Sequence, residues 1–259
     1  MNKQQIARRF KRALESYDEN ATVQQEIAQT LASMITETGT TKKQIRMLEI
    51  GCGTGMLTRR YVPHLSINHL HLNDIVESAV ETLRNKIPSQ ANSDDSIIVS
   101  EHPGDAEAIP FPESMDMVVA GSAVQWIENK EALFEKIANS LTPEGYFIFN
   151  TFGIHNFMEI KNLTGVGLHY PETSLLTEML EKYFQIEQHT RVERKQWFDS
   201  PVAVLKHIRN TGVGMECKIR WNKHTLHSFT NNYLERYQSE GEVSLTWDIL
   251  YFICRKRMS

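Results

Sequence analysis

Short apolar runs alternate with helix-length patterns over the first 152 residues, and this alternation constrains the fold more than any other feature of the chain. The run "IRMLEI" at 45–50 precedes a glycine-rich loop, and later apolar runs end near residues 74, 100, 121 and 152. Amphipathic stretches of helical length separate several of these runs. Strands that alternate with helices form βαβ units, in which the strands are parallel and helices cover both faces. The sequence therefore predicts an α/β fold with a doubly wound, mostly parallel sheet.

The flanking segments predict how the rest of the chain is organised around a core at 45–152. Apolar residues at helical spacing precede the core, so 1–44 is expected to form an N-terminal helical lid. The strand–helix rhythm breaks after the fifth strand, and we expect 153–215 to be an inserted lid or substrate segment over the carboxyl edge of the sheet. The stretch 216–259 is expected to supply a closing helix and strands, one of them antiparallel. These segments together predict a single domain over 1–259.

Composition argues against several classes of protein. A formal net charge of −4 gives no general reason to expect nucleic-acid binding, and no apolar window is long enough to span a membrane. The cysteines Cys52, Cys217 and Cys254 are too few and too scattered for a disulfide framework or a zinc site. The N-terminus lacks the apolar core of a secretory signal. We therefore expect a cytoplasmic protein without a metal, a nucleic-acid partner or a membrane partner.

The loop "EIGCGTGM" has the composition of a ligand-binding loop but matches neither common phosphate-binding pattern. No Gly-Lys pair follows, as a P-loop requires, and Met56 stands where a dinucleotide-binding loop has its third glycine. The glycines Gly51, Gly53 and Gly55 form G-x-G-x-G instead. Glu49 places a carboxylate at the end of the preceding strand, where it would repel a pyrophosphate and attract an ammonium or sulfonium group.

Two further acids follow the next two predicted strands. Asp74 ends the second strand, where its two oxygens can accept hydrogen bonds from both ribose hydroxyls of a nucleoside. Asp105 follows the third strand and can accept a hydrogen bond from an adenine amino group. Three strand-end acids without a phosphate-binding lysine suit a nucleoside that carries positive charge. The sequence therefore predicts S-adenosylmethionine as the ligand.

The motifs "LEIGCGTG", "LND" and "GDAEAIPF…MDMVVAGSAVQW", in this order, resemble those of class I S-adenosylmethionine-dependent methyltransferases. The resemblance covers roughly 45–152 and implies a Rossmann-like fold in which the glycines line the methionine end of the cofactor. It implies cofactor contacts from Tyr17, Gln24, Glu49, Gly51, Gly53, Gly55, Asp74, Ile75, Asp105, Ala106, Gly121 and Ser122.

The flanks resemble the malonyl-[acyl-carrier protein] O-methyltransferases of biotin synthesis. The resemblance rests on the entry segment around Tyr17, on "AVQW" at 123–126, on "VLKHIRNTGV" at 204–213 and on "SLTWDI" at 244–249. One departure is the pair Ala120-Gly121, where that family tends to have Ser-Asn. The resemblance implies methyl transfer to the free carboxylate of a malonyl thioester on an acyl carrier protein, as the start of pimeloyl formation.

This chemistry requires no catalytic base, because a malonyl carboxylate is already ionised at neutral pH. The reaction needs alignment and exclusion of water, so we expect positioning residues, with Tyr17 and Arg209 as candidates. Substrate contacts are expected from Trp126, Lys206, His207 and Arg209. An acidic carrier protein would dock through basic residues, for which the first candidates are Arg8, Arg9, Lys206 and Arg209.

Three alternatives remain open from the sequence. A coenzyme A thioester would use the same basic residues as a carrier protein. A methyltransferase for a small soluble carboxylic acid or a quinone precursor would share the core and would not depend on a carrier. A non-catalytic S-adenosylmethionine-binding module would keep the glycine loop and the three acids.

Overall fold

The computed structural model describes residues 3–39, 43–87, 96–211 and 221–257. The strands are β1 (Ile45–Ile50), β2 (Ile67–Asp74), β3 (Ile98–Pro103), β4 (Met115–Ala120), β5 (Leu141–Phe152), β6 (Phe184–Phe198), β7 (Gln238–Ser239) and β8 (Glu242–Lys256). The α-helices are α1 (Lys3–Asn20), α2 (Thr22–Gly39), α3 (Thr58–Tyr61), α4 (Glu77–Arg84), α5 (Lys130–Ser140), α6 (Met158–Thr164), α7 (Thr173–Glu181), α8 (Pro201–Asn210) and α9 (Lys223–Tyr237). Cys217, which the sequence analysis considered, lies outside the described residues.

All described strands belong to one sheet with the order β3-β2-β1-β4-β5-β8-β6, and β7 pairs with β8. The pairs among β1 to β5 are parallel, whereas β8 runs antiparallel to both β5 and β6. The predicted doubly wound, mostly parallel sheet is therefore confirmed. The strand order reverses between β1 and β4, and ligands of such sheets bind in the crevice beyond the carboxyl ends of the strands at this point.

The apolar patterns of the sequence account for the two layers of helix. In β1, Met47 faces one hydrophobic core and Leu48 faces the other, because successive strand residues point to opposite faces. Helix α2 covers the first core with buried residues such as Ile27 and Leu31. Helix α5 covers the second core with residues such as Phe134. Each face of the sheet is thus covered by a helix, and the apolar residues that this helix buries are spaced at helical periodicity in the sequence.

The expected lid over 1–44 contains two helices with different positions. Helix α2 belongs to the layer that packs on the sheet and has nine buried residues. Helix α1 has a different environment, since its inward side lines a cavity at the carboxyl edge of the sheet. Helix α1 therefore occupies the place expected of a lid, and α2 contributes Gln24, Ile27 and Ala28 to the lining of the same cavity.

The expected insertion over 153–215 is partly wrong, because this segment contains a strand of the sheet. Strand β6 has fifteen residues and pairs with β8 over nearly its whole length. Most of its side chains are exposed, as is usual for an edge strand with solvent beside it. The resulting polar composition concealed the strand in the sequence. The helices that follow β6 and lie outside the sheet are α8 and α9.

In the part of the chain that the structure describes, no helix has the length and hydropathy needed to cross a bilayer. No group of three or more metal-ligating side chains comes together among these residues either. The thiols of Cys52 and Cys254 are buried and free.

Two buried histidines are expected to make the fold sensitive to acid. His71 on β2 is 5% exposed and its Nδ1 lies 2.8 Å from Nε2 of His102. Burial, together with the neighbouring His69, lowers the pKa of His71 to about 4. Burial on the inward side of α8 also lowers the pKa of His207 to about 4. The unfolded chain binds these protons near pH 6.5, so the free energy of unfolding should fall as the pH drops from about 6.5 to about 4.

Each histidine can contribute a slope of at most about 1.4 kcal/mol per pH unit in this window. We expect urea titrations at pH 7, 5.5 and 4.5 to show a smaller loss of stability in the double variant His71→Asn/His207→Leu than in the parent chain. His64→Gln is the control, because His64 is exposed. An unchanged slope in the double variant would contradict this assignment.

Candidate functional site

A cavity opens at the carboxyl ends of the central strands, where the strand order reverses. Its empty volume is about 1150 Å³, which includes space open to solvent, so it has room for a small molecule or a cofactor. Its wall is formed by the segments that follow β1, β2, β3 and β4, and α1 and α2 cover it. The strand ends that the sequence analysis singled out therefore meet at one place.

The glycine loop after β1 adopts a backbone that glycine alone accommodates well. Gly51, Gly53 and Gly55 have φ angles of +72°, +51° and +79°. A Cβ atom on Gly51 would lie 2.6 Å from Cβ of Ala123, and one on Gly55 would overlap Leu83. A Cβ on Gly53 would meet open space beside the cavity. Gly55 does not line the cavity, so its role is to permit close packing rather than the predicted cofactor contact.

Asp74 at the end of β2 holds the glycine loop and faces the cavity. Its Oδ2 accepts a hydrogen bond from the N–H of Gly53 at 2.8 Å, and its Oδ1 accepts one from the N–H of Val76 at 2.8 Å. Burial raises the pKa of Asp74, and these two hydrogen bonds oppose that rise. A carboxylate has about four acceptor sites, so each oxygen can still accept one bond from a vicinal diol. Its neighbour Ile75 also lines the cavity.

Glu49 at the end of β1 is buried beside the cavity. Its Oε2 accepts hydrogen bonds from Oγ1 of Thr58 at 2.7 Å and from the hydroxyl of Tyr61 at 2.6 Å. Burial is the main cause that raises the pKa of Glu49 to about 7, although these two hydrogen bonds act to lower it. A cationic group in the cavity would favour the ionised carboxylate. Glu49 thus suits a ligand with an ammonium or sulfonium group.

Gln24 on α2 supplies the clearest sign that the cavity takes a polar ligand. Its side chain is 4% exposed and lines the cavity, yet neither Nε2 nor Oε1 has a hydrogen-bond partner among the residues that the structure describes. A buried amide without partners costs roughly 1–3 kcal/mol for each unsatisfied group, so such an amide normally meets a ligand or water. The amino acid end of S-adenosylmethionine offers both a donor and an acceptor, and therefore fits this position.

The far end of the cavity is formed by Asp105 and Ala106 after β3. Oδ1 of Asp105 accepts a hydrogen bond from the N–H of Glu107 at 3.0 Å and lies 3.4 Å from Nζ of Lys3. Both contacts use Oδ1, so Oδ2 can accept from an exocyclic amine. Ala106 is buried against the second core and contributes an apolar wall. These features fit the adenine ring.

The segment after β4 is held by Asn150, a residue that the sequence analysis missed. The N–H of Ser122 donates to Oδ1 of Asn150 at 2.8 Å, and Nδ2 of Asn150 lies 3.2 Å from Oγ of Ser122. Gly121 and Ser122 both line the cavity. A sequence signal was available, since Asn150 is an amide that directly follows the apolar run "FIF" within β5, and in the structure this amide is fully buried.

Helix α1 is anchored across the cavity at both ends. Nζ of Lys3 donates to Oε2 of Glu107 at 2.5 Å and to the carbonyl oxygen of Trp126 at 3.0 Å. At the other end, Oδ1 of Asp18 accepts from Oγ1 of Thr54 at 2.7 Å, and its Oδ2 pairs with Arg59. These contacts join α1 to segments that follow β1, β3 and β4.

The inward side of α1 is mostly apolar and faces the cavity. It presents Ile6, Phe10, Leu14 and Tyr17. The Phe10 ring lies edge-on to Trp126 at a centroid distance of 5.4 Å. Burial, with Asp18 and Asp74 nearby, raises the pKa of Tyr17, so its hydroxyl stays protonated and can donate. Tyr17 was expected here, whereas Lys3 and Phe10 were not identified.

The four residues expected to contact the substrate lie in different places. Trp126 lines the cavity, and its Nε1 is buried without a hydrogen-bond partner in the described part of the chain. His207 is buried elsewhere, with its ring 5.1 Å from that of Phe198, and does not line the cavity. Lys206 and Arg209 are exposed and also lie outside the cavity lining. His207 is therefore part of the core, because α8 turns this side chain inward, and the two basic residues are available only for contacts at the surface.

Comparison with known proteins shows which family of proteins this chain resembles. A family model described as a methyltransferase domain matches residues 48–149. The chain is 36% identical to a malonyl-[acyl-carrier protein] O-methyltransferase of Bacteroides fragilis, over 97% of this chain and 50% of that protein. It is 37% identical to the enzyme of the same name from Haemophilus ducreyi, over 95% of this chain and 93% of that protein. The chain thus spans about half the length of the first relative and nearly all of the second.

A solved structure with the same fold is that of the YcgJ protein from Bacillus subtilis, with a TM-score of 0.61 and 14% identity over 89% of this chain and 99% of that one. At this identity the likeness concerns the fold alone. Three observations point to the same family: the glycine loop, the strand-end acids and the identity over nearly the full length of a relative. The chain belongs to the malonyl-[acyl-carrier protein] O-methyltransferases, a family of S-adenosylmethionine-dependent enzymes.

Proposed function

We propose that this protein transfers a methyl group from S-adenosylmethionine to the free carboxylate of a malonyl group carried as a thioester on acyl carrier protein. The product would be the malonyl methyl ester that starts pimeloyl formation in biotin biosynthesis. The observation that carries the proposal is the cavity, which combines strand-end carboxylates, an unpartnered amide and an apolar cover. The names of the full-length relatives supply the acceptor.

Different residues of the cavity would bind different parts of the cofactor. Asp74 would hold the ribose hydroxyls, because each of its oxygens accepts one backbone hydrogen bond and can accept another. Asp105 would hold the adenine amine through Oδ2, because its two contacts use Oδ1. Gln24 and Glu49 would hold the amino acid end beside the glycine loop. When bound, S-adenosylmethionine supplies a methyl carbon that its sulfonium makes electrophilic.

The acceptor side of the cavity would favour methyl transfer by enclosing the acceptor and excluding water. Phe10 and Leu14 on α1, together with Trp126, form apolar walls that exclude water from an incoming carboxylate. A less hydrated carboxylate oxygen is a stronger nucleophile, and a transition state in which opposite charges cancel is favoured by low polarity. The protonated hydroxyl of Tyr17 can donate a hydrogen bond that orients a group in the cavity.

The proposal is tested by methyl transfer from labelled S-adenosylmethionine to malonyl-acyl carrier protein. Malonyl-coenzyme A, acetyl-acyl carrier protein and free malonate are measured beside it. We expect a base-labile methyl ester on the malonyl carrier and no label on the acetyl carrier, which lacks a free carboxylate.

Each alternative acceptor gives a different pattern of label. Equal rates with free malonate and the malonyl carrier would favour a methyltransferase for a small soluble acid. No label on any malonyl substrate, with the cofactor still bound, would refute the acceptor assignment.

A further inference from the structure

We propose that the outward sides of α1 and α8 form one basic docking surface for the acidic acyl carrier protein. This α1/α8 surface consists of Arg8, Lys11, Arg12, Val202, Lys206 and Arg209. The inference rests on the proposed function and adds to it the place where the partner binds.

The α1 half of the surface lies opposite the cavity. Arg8, Lys11 and Arg12 are exposed and lie three and four residues apart, so they share one side of the helix. The side that faces the cavity carries Ile6 and Phe10, and helical geometry at 3.6 residues per turn places it away from the three cations. Arg9 is half-buried and lies between these two sides.

The α8 half repeats this arrangement. Lys206 and Arg209 are exposed on one side of the helix, and Val202, 50% exposed, lies one turn before Lys206. The buried side of α8 carries Val204, which packs in the core. The helix therefore presents an apolar residue next to two cations, a combination that suits a partner with both acidic and apolar surface.

The two halves adjoin because α1 packs against α8. This contact brings two basic segments that are almost two hundred residues apart in the sequence next to each other. Neither the stretch 3–14 of α1 nor α8 contains an acidic residue. None of the five cations forms an ion pair with another described residue, whereas Lys3, Arg59 and Arg255 each pair with an acid. Among the described residues the surface therefore carries five cations without an ion-pair partner, although the chain has a formal net charge of −4.

The position of this charge identifies its partner. An acceptor on a carrier must reach the cavity, and α1 is both the cover of the cavity and half of the surface. A carrier docked on the outer side of α1 would bring its prosthetic arm to the rim. Acidic carriers are attracted by such a patch, which raises the association rate at low salt.

The test compares charge reversals at matched positions. Arg8→Glu, Arg209→Glu and their double variant are assayed against Lys43→Glu, which makes the same charge change at an exposed residue before β1, at the opposite edge of the sheet. kcat/KM is measured with malonyl-acyl carrier protein and with malonyl-pantetheine, and carrier binding is measured directly by titration. Both are repeated at low and high salt.

With the malonyl carrier at low salt we expect a loss of about five-fold to ten-fold for each single reversal and a larger loss for the double variant, fading at high salt. With malonyl-pantetheine the losses should be less than about two-fold, as should all losses in the Lys43→Glu control. Unchanged carrier binding in the double variant would overturn the proposal. An equal loss with malonyl-pantetheine would also overturn it, since the residues would then act on folding or on the cavity.

Two further outcomes separate this inference from the proposed function. A comparable loss with malonyl-coenzyme A would assign the surface to the phosphates of coenzyme A and overturn carrier docking. A parent chain that binds the carrier in a salt-dependent manner but does not methylate it would refute the proposed function and leave the docking surface supported. A parent chain that does not bind the carrier would refute the docking surface.

Discussion

Asp74→Ala is expected to lower the affinity for S-adenosylhomocysteine, the product form of the cofactor, by a factor of at least about 100. The carboxylate can accept two hydrogen bonds from a ribose, and hydrogen bonds to a charged group contribute roughly 1.5–3 kcal/mol each. The same change removes the acceptors of the Gly53 and Val76 N–H groups, so the glycine loop loses its anchor. Calorimetric titration measures the affinity, and kcat/KM for S-adenosylmethionine should fall in parallel.

Two other substitutions separate the ribose contact from a general effect of losing an acid. Asp74→Asn keeps one acceptor oxygen and should fall between the parent chain and the alanine variant. Asp199→Ala removes an exposed carboxylate in the turn before α8 and should leave the affinity unchanged. An affinity for Asp74→Ala within about five-fold of the parent, which is about 1 kcal/mol, would be inconsistent with this role.

Asp248→Ala is expected to lower the free energy of unfolding by about 3 kcal/mol without a matching loss of cofactor affinity. Asp248 on β8 is fully buried, and Arg191 on β6 pairs with it through Nε at 2.7 Å and Nη2 at 2.8 Å. The N–H of His155 also donates to Oδ2 at 3.0 Å, and a Cβ atom on Gly153 would overlap the carboxylate. One side chain therefore joins the edge strand to the loop after β5.

Urea titration measures this loss of stability. Asp248→Asn keeps an oxygen for the His155 N–H but loses the charge that Arg191 contacts, so it should be intermediate. Lys195→Ala changes an exposed residue of the same edge strand and should have an effect within about 0.5 kcal/mol of zero. A similarly small effect for Asp248→Ala would show that solvent replaces its contacts and would contradict the assignment.

The cofactor half of the cavity could be predicted because its signals are local. The apolar runs that form β1 and β2 begin and end in the structure where the sequence places them. Parallel strands bring their carboxyl ends to one edge, so Glu49, Asp74 and Asp105 had to lie near the glycine loop. Local spacing does not show that Asp74 also positions that loop, because the bond to Gly53 depends on the detailed backbone conformation.

The rest of the site depends on contacts between distant parts of the chain. Lys3 meets Glu107 across 104 positions, and no periodicity in either segment indicates that pair. Strand β6 was missed because an edge strand exposes most of its side chains and carries little apolar alternation. His207 was expected at the acceptor because it lies between two basic residues, yet helical geometry turns it inward while its neighbours turn out.

The wall of the cavity and its cover come from separable stretches of the chain. The groups that would recognise the nucleoside follow β1, β2 and β3, whereas the cover is α1, and α1 packs against α8 outside the sheet. Mutations that accumulate in these helices can change which molecule is methylated while the donor site stays intact. Exchange of both helices between relatives is therefore a direct way to engineer acceptor preference.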